Sequence, residues 1–201
     1  MLIFAVLVRK ESLKRRKLVS NAKKEMMEWV IAILIGLIVV MLCRMYIATN
    51  YEVIGKSMMP TLEDHDRVLV TKLSNVDRMD IIIFKSPNTD AYVKRVIGLP
   101  GDSIKYENDE LYINNKKVTE TFLSSNLAYK HPEENFTEDF ELESLTGQKT
   151  VPAGKLFVLG DNRMSSLDSR YFHFIDEQDV IGEVTARYWP LPDATINLVT
   201  E

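Results

Sequence analysis

The chain has 201 residues, 46% of them hydrophobic, and a formal net charge of −4, which fits one folded domain with extras and excludes wholesale disorder. A single cysteine, Cys43, rules out an internal disulfide or a cysteine metal cluster. The three histidines, His65, His131 and His173, lie far apart without ligand spacing, so no metal site is expected.

Charge is divided unevenly along the chain. Residues 1–28 carry eight basic residues against three acidic ones, and the remainder is acidic, with 26 acids against 17 bases. The opening MLIFAVLV is apolar but too short to span a bilayer. Trp29 to Cys43 is uncharged, and at 1.5 Å per residue it covers only about 22 Å as a helix, short of a hydrocarbon core of about 30 Å. Extension through Arg44 to Ala48 closes the gap. Arg44 then snorkels near the far end, and Trp29 and Tyr46 mark the two interfaces. The expected organisation is a basic head over 1–28, a transmembrane helix over 29–48 and a body over 49–201. A buried core helix would carry a polar stripe, which this run lacks. A cleaved signal peptide would have a shorter head and a clean small-x-small site. The basic head therefore reads as the cytoplasmic side of a single-pass protein whose body lies across the membrane.

Beyond the span the texture is β. Short runs rich in Val, Ile, Tyr and Phe recur between turn signals, at residues 51–54, 67–73, 81–85, 91–97, 103–106, 111–113, 155–159 and 180–189. Glu107-Asn108-Asp109-Glu110 and Asn114-Asn115 read as hairpin turns. The polar, acidic stretch from Ser124 to Lys149 reads as a surface loop, and its Asn135-Phe136-Thr137 fits a glycosylation pattern that is common by chance.

Three clusters carry the chemistry. Gly55-Lys56-Ser57-Met58-Met59-Pro60-Thr61-Leu62 sets a hydroxyl just past the span. Tyr92-Val93-Lys94-Arg95-Val96-Ile97-Gly98-Leu99-Pro100-Gly101-Asp102 sets a lysine inside an apolar strand. Gly160-Asp161-Asn162-Arg163-Met164-Ser165-Ser166-Leu167-Asp168-Ser169-Arg170 is a polar run after a strongly apolar strand. In this order behind one N-terminal span, from about Glu28 to Pro190, they resemble bacterial type I signal peptidases in their compact Gram-positive form.

The resemblance implies a mainly β fold: an antiparallel, barrel-like catalytic core with a small β cap over 103–152. It implies a membrane-bound serine–lysine protease that removes signal peptides from exported preproteins after small residues in an Ala-x-Ala pattern. Ser57 matches the nucleophile and Lys94 the general base. A lysine accepts a proton only when neutral, and burial among apolar neighbours can lower its pKa by up to about 3–5 units. Ser166 matches the serine that orients the lysine. Asp168 with Arg170, and Asp161 with Arg95, match two supporting ion pairs. Some relatives place an oxyanion-holding serine where this chain has Gly55, which leaves the Ser57 backbone N–H as the expected donor. Tyr51, Val53, Met58, Leu62, Tyr92 and Val93 match the walls of two shallow substrate pockets. No cofactor, metal or nucleic acid is implied. The implied partners are the lipid bilayer, the signal peptides of secreted preproteins and the neighbouring protein-export channel, and the implied location is the bacterial cell membrane, with the catalytic domain outside. Three other readings compete. A catalytically silent, membrane-tethered peptide-binding β domain conflicts with the intact Ser57, Lys94 and Ser166 set. A self-cleaving regulator conflicts with the span, and a DNA-binding head lacks a helix-turn-helix pattern.

Overall fold

The computed structural model describes residues 23–42, 44, 48–86, 89–123, 135–196 and 198. Most of the basic head, Tyr46, and residues 124–134 of the polar stretch with His131 lie outside them. The chain divides into two compact units, residues 1–46 and 47–201.

The first unit holds one described helix, Lys23–Leu42, whose 20 residues are long and apolar enough to cross a membrane. No side chain of its apolar window is buried within the protein. The helix starts earlier than the expected Trp29 because nothing in Lys23–Glu28 breaks it, and Lys24 and Glu28 face each other one turn apart. Ala48, expected as the last residue of the span, instead opens the first strand, where it pairs with Thr71.

The second unit is antiparallel β. Its larger sheet contains β1 (Ala48–Glu52), β2 (Arg67–Thr71), β3 (Ile81–Ser86), β4 (Thr89–Gly98), β9 (Lys155–Leu159), β10 (Ile175–Asp176), β11 (Val180–Trp189) and β12 (Thr195–Ile196). The strand order is β1-β2-β11-β3-β4-β9-β10, with β12 also paired to β11. The expected barrel-like core is thus an open sheet: β1 and β10 end the path and do not pair with each other among the described residues. A four-stranded sheet, ordered β7-β6-β5-β8, is built from β5 (Ile104–Glu107), β6 (Glu110–Ile113), β7 (Lys116–Val118) and β8 (Phe140–Glu141). Its two tight hairpins turn at Asn108-Asp109 and Asn114-Asn115, all four with positive φ. Asn and Asp tolerate that conformation, and it matches strand twist.

Side-chain alternation sorts the core. In β2, Val68 and Val70 are buried while Arg67 and Leu69 face out. β3 is buried on both faces: Ile81 and Ile83 join Val53, Met58, Leu62, Val68 and Val70, and Ile82 and Phe84 join Val96, Leu156 and Val158. A third cluster, with Ile97, Tyr106, Leu111, Phe157 and Leu159, joins the two sheets. The end of the polar stretch departs from the expected surface loop. Phe136, Thr137 and Leu142 are buried, and Leu142–Thr146 is a short helix, because the isolated apolar residues there each find a pocket under the sheets.

At Gly182 of β11 the neighbouring strand comes so near that an added Cβ would stand 2.3 Å from the Thr71 carbonyl oxygen. Gly182→Ala is expected to lower stability by about 1–3 kcal/mol, since backbone cannot yield as a side-chain tip does. Equilibrium denaturation of the detergent-solubilised chain checks this, and an unchanged midpoint contradicts it.

Candidate active site

Three segments converge on one point. Ser57 sits in the turn after β1. Gly55, at φ 94°, lets the backbone reverse there. Met58 and Leu62 root the turn, at 1% and 0% exposure, with the Leu62 N–H donating to the Met58 carbonyl. β4 delivers Lys94 in register with Ile82, and Lys94 is 4% exposed. Its Nζ lies 2.7 Å from Ser57 Oγ and 3.0 Å from the Val93 carbonyl oxygen, donating to both. The loop after β9 closes on this pair from the other side. Asn162 donates its N–H to the Ser57 carbonyl at 3.0 Å and its Nδ2 to the Lys56 carbonyl at 3.1 Å.

Burial strips water from the Lys94 ammonium and lowers its pKa from the ordinary 10.5 to about 8. The charges of Asp168 and Asp161 oppose this and are outweighed. Both carboxylates are otherwise engaged. Asp161 takes two hydrogen bonds from Arg95, at 2.9 and 2.7 Å, with both side chains fully buried. Arg95 also donates to the Met79 carbonyl and stacks on the Phe122 ring, 3.8 Å from its centroid. Asp168 is gripped by Arg170 at 2.8 and 2.9 Å and also accepts the Gly160 N–H. The two expected ion pairs are therefore present in the geometry.

Other expected site residues are placed differently. Tyr51, Val53, Tyr92 and Val93 line a groove of about 380 Å³ that runs past Ser57 and Lys94, with Ile54, Ala91 and Leu167 also on its walls. Met58 and Leu62 do not line it; they lie beneath, in the core, because they anchor the turn that bears Ser57. Gly55 borders the groove, but its N–H donates to Asp64 Oδ1 at 2.8 Å and is not available to an oxyanion. The Ser57 N–H donates to no group among the described residues. Ser166 Oγ is buried and makes no hydrogen bond among the described residues, so the bond to Lys94 implied for it is not formed in this geometry.

Arg163 is the residue that sequence reasoning missed. Fully buried, it donates to the Gly160 carbonyl, to Glu120 at 2.6 Å, to Thr137 and to the Tyr106 hydroxyl, and so ties the loop to the smaller sheet. Tyr106 on the inward phase of β5 was the available signal, since a buried phenol needs a polar partner.

A family model described as signal peptidase, peptidase S26, matches residues 26–189. The chain is 49% identical to Signal peptidase I of Bacillus caldolyticus over 162 residues, 78% of this chain and 87% of that one. It is 39% identical to Signal peptidase IB of Staphylococcus aureus over 187 residues, 89% of this chain and 97% of the relative. The crystal structure of a signal peptidase I from Enterococcus faecalis superposes with a TM-score of 0.55 at 44% identity, covering 57% of this chain and all of that one.

Lys94 costs the fold stability wherever its charged ammonium must be buried. Between about 8 and 10.5 the unfolded chain binds a proton that the folded chain does not. The penalty is therefore complete below pH 8 and gone above 10.5. Lys94→Met is expected to raise stability near neutral pH by about 1–3 kcal/mol, with the advantage shrinking as pH climbs through that window. Thermal melts across pH read it, and a Met variant less stable at pH 7 contradicts it.

Proposed function

Since the chain belongs to the signal peptidase family, peptidase S26, and is a serine hydrolase, we propose that it cleaves N-terminal signal peptides from exported preproteins. Cleavage follows the second small residue of an Ala-x-Ala segment, with Ser57 as nucleophile and Lys94 as general base. The observation that carries this reading is the 2.7 Å contact between a half-buried serine hydroxyl and a buried lysine of lowered pKa at the edge of an apolar groove.

Neutral Lys94 takes the Ser57 hydroxyl proton as Oγ attacks the scissile carbonyl carbon. The oxyanion that forms is met by the Ser57 N–H. The carbon–nitrogen bond then breaks, and the Lys94 ammonium passes its proton to the departing amine, the new N-terminus of the mature protein. Water, deprotonated by Lys94, attacks the acyl ester. The signal peptide leaves as a carboxylate and Ser57 regains its proton. Val53 and Val93 line the groove, and on this reading their apolar walls admit alanine and exclude larger side chains.

The helix Lys23–Leu42 serves as the anchor in the bacterial cell membrane. The surplus of basic residues ahead of it keeps the N-terminus cytoplasmic and the catalytic unit outside, beside the export channel. Protease added to intact protoplasts should digest the catalytic unit, and full protection of it refutes this orientation.

Ser57→Ala and Lys94→Ala are each expected to reduce kcat/KM on a preprotein by at least about 10³-fold while the fold persists. With a Lys94 pKa of about 8, about one lysine in ten is neutral at pH 7. Activity should therefore rise about tenfold per pH unit below that value and level off above it. N-terminal sequencing of the product and a pH–rate profile test both statements. A Lys94→Ala enzyme retaining substantial activity, or a flat profile, defeats the assignment.

A further inference from the structure

β4 faces two cavities. Ala91 and Val93 pack on one face, with Val53 and Ile83, and Tyr92 packs on the other, with Phe84 and Phe172. β9 pairs with β4 only over Arg95–Gly98, so the outer edge of residues 89–94 has no strand partner among the described residues. The groove at Ser57 follows that edge.

On the Tyr92 face lies a second cavity of about 360 Å³, walled by Phe84, Tyr92, Leu167, Tyr171, Phe172 and Phe174. It shares Tyr92 and Leu167 with the groove. Its aromatic walls are knit together: Tyr92 meets Phe84 edge-on at 6.1 Å, and Phe84 meets Phe172 at 6.3 Å. Lys94 Nζ stands 5.5 Å from the Tyr92 ring centre, so the shared wall adjoins the dyad. At the mouth, Leu167 and Tyr171 are 56% and 62% exposed, an uncovered apolar surface continuous with the groove.

An extended chain added to a strand edge turns successive side chains to opposite faces. If two small side chains enter the groove on the Val93 face, the one between them must turn toward Tyr92. We propose that the aromatic cavity receives this intervening side chain and makes the enzyme selective for large apolar residues there. The proposal rests on the reading of the groove as the substrate site. The charged groups on its walls are Lys85, Asp179 and Asp176, the last held by Lys155 at 2.7 Å, and the rest of the lining is mostly aromatic and aliphatic. A phenylalanine between the two alanines would meet ring faces, while an aspartate would have to shed its water against them.

Purified full-length enzyme in detergent is given peptides identical except at x of Ala-x-Ala, with x alanine, leucine, phenylalanine or aspartate. Phenylalanine and leucine should give kcat/KM about tenfold above alanine, with aspartate lowest. Tyr171→Ala, a change at an exposed position, should bring the phenylalanine-to-alanine ratio toward one. Ser86→Trp, which narrows the cavity from another wall, should depress the phenylalanine substrate more than the alanine one. A loss of folding alone would scale all substrates equally and leave the ratios fixed. Rates within about twofold for every x in the unmodified enzyme, or ratios unmoved by both variants, overturn this inference and leave the proposed function standing. Absence of cleavage at any x overturns both.

Discussion

The contact between Lys94 Nζ and Ser57 Oγ, made by an amine buried at the edge of the groove, is the constraint around which the second unit is organised. An ammonium at 4% exposure is unfavourable, and the chain gains from it only a pKa near 8. That value needs the lysine buried, a hydroxyl within reach, and few unbalanced negative charges nearby. Residues 57 and 94 are far apart in sequence, so none of these conditions is local. β4 takes its place by pairing with β3, and Met58 and Leu62 root the turn after β1 that gives Ser57 its position.

The third condition explains the arginines. Asp161 and Asp168 both favour a charged Lys94, yet desolvation prevails. Each carboxylate is saturated by a fork of guanidinium hydrogen bonds, from Arg95 and from Arg170. Removing either arginine would leave a buried carboxylate without its guanidinium close to an amine, an arrangement that favours a protonated lysine. The ion pairs therefore act less through net stability, which buried pairs seldom supply, than by keeping the local field low and the loop fixed.

Much of this was legible in the sequence, for physical reasons that differ by residue. Strands β9 and β11 match the expected 155–159 and 180–189, and β3 runs one residue beyond the expected 81–85, because β-branched and aromatic runs bounded by turn residues leave few alternatives. The hairpin turns followed from Asn and Asp, which accept positive φ. Ser57, Lys94 and the two ion pairs followed from resemblance, since nothing in local pattern brings those segments together. Burial was the weak point. Met58 and Leu62 match pocket walls by resemblance, but an apolar residue beside a nucleophile serves equally to anchor it. The Gly55 N–H was unreadable because its partner, Asp64, is reached only after the chain reverses. Residues 135–149 looked like loop because their apolar residues are solitary, and periodicity cannot register a single buried Phe136.

Arg163 shows how an irregular loop is held as firmly as a strand. Its guanidinium reaches Tyr106, Glu120 and Thr137 around the smaller sheet, and its carbonyl accepts from Arg170. Arg170 grips Asp168, Asp168 takes the Gly160 N–H, and Gly160 lies so close to the Ser57 carbonyl and the Ser166 side chain that a Cβ there would clash with both. Every link in this path is a hydrogen bond or a van der Waals limit, and most are buried, where breaking one leaves an unsatisfied polar group. The smaller sheet is thus coupled to the position of Ser57 without touching the groove. An interior so closely packed and bonded resists small displacements, which is what a base and a nucleophile held 2.7 Å apart require.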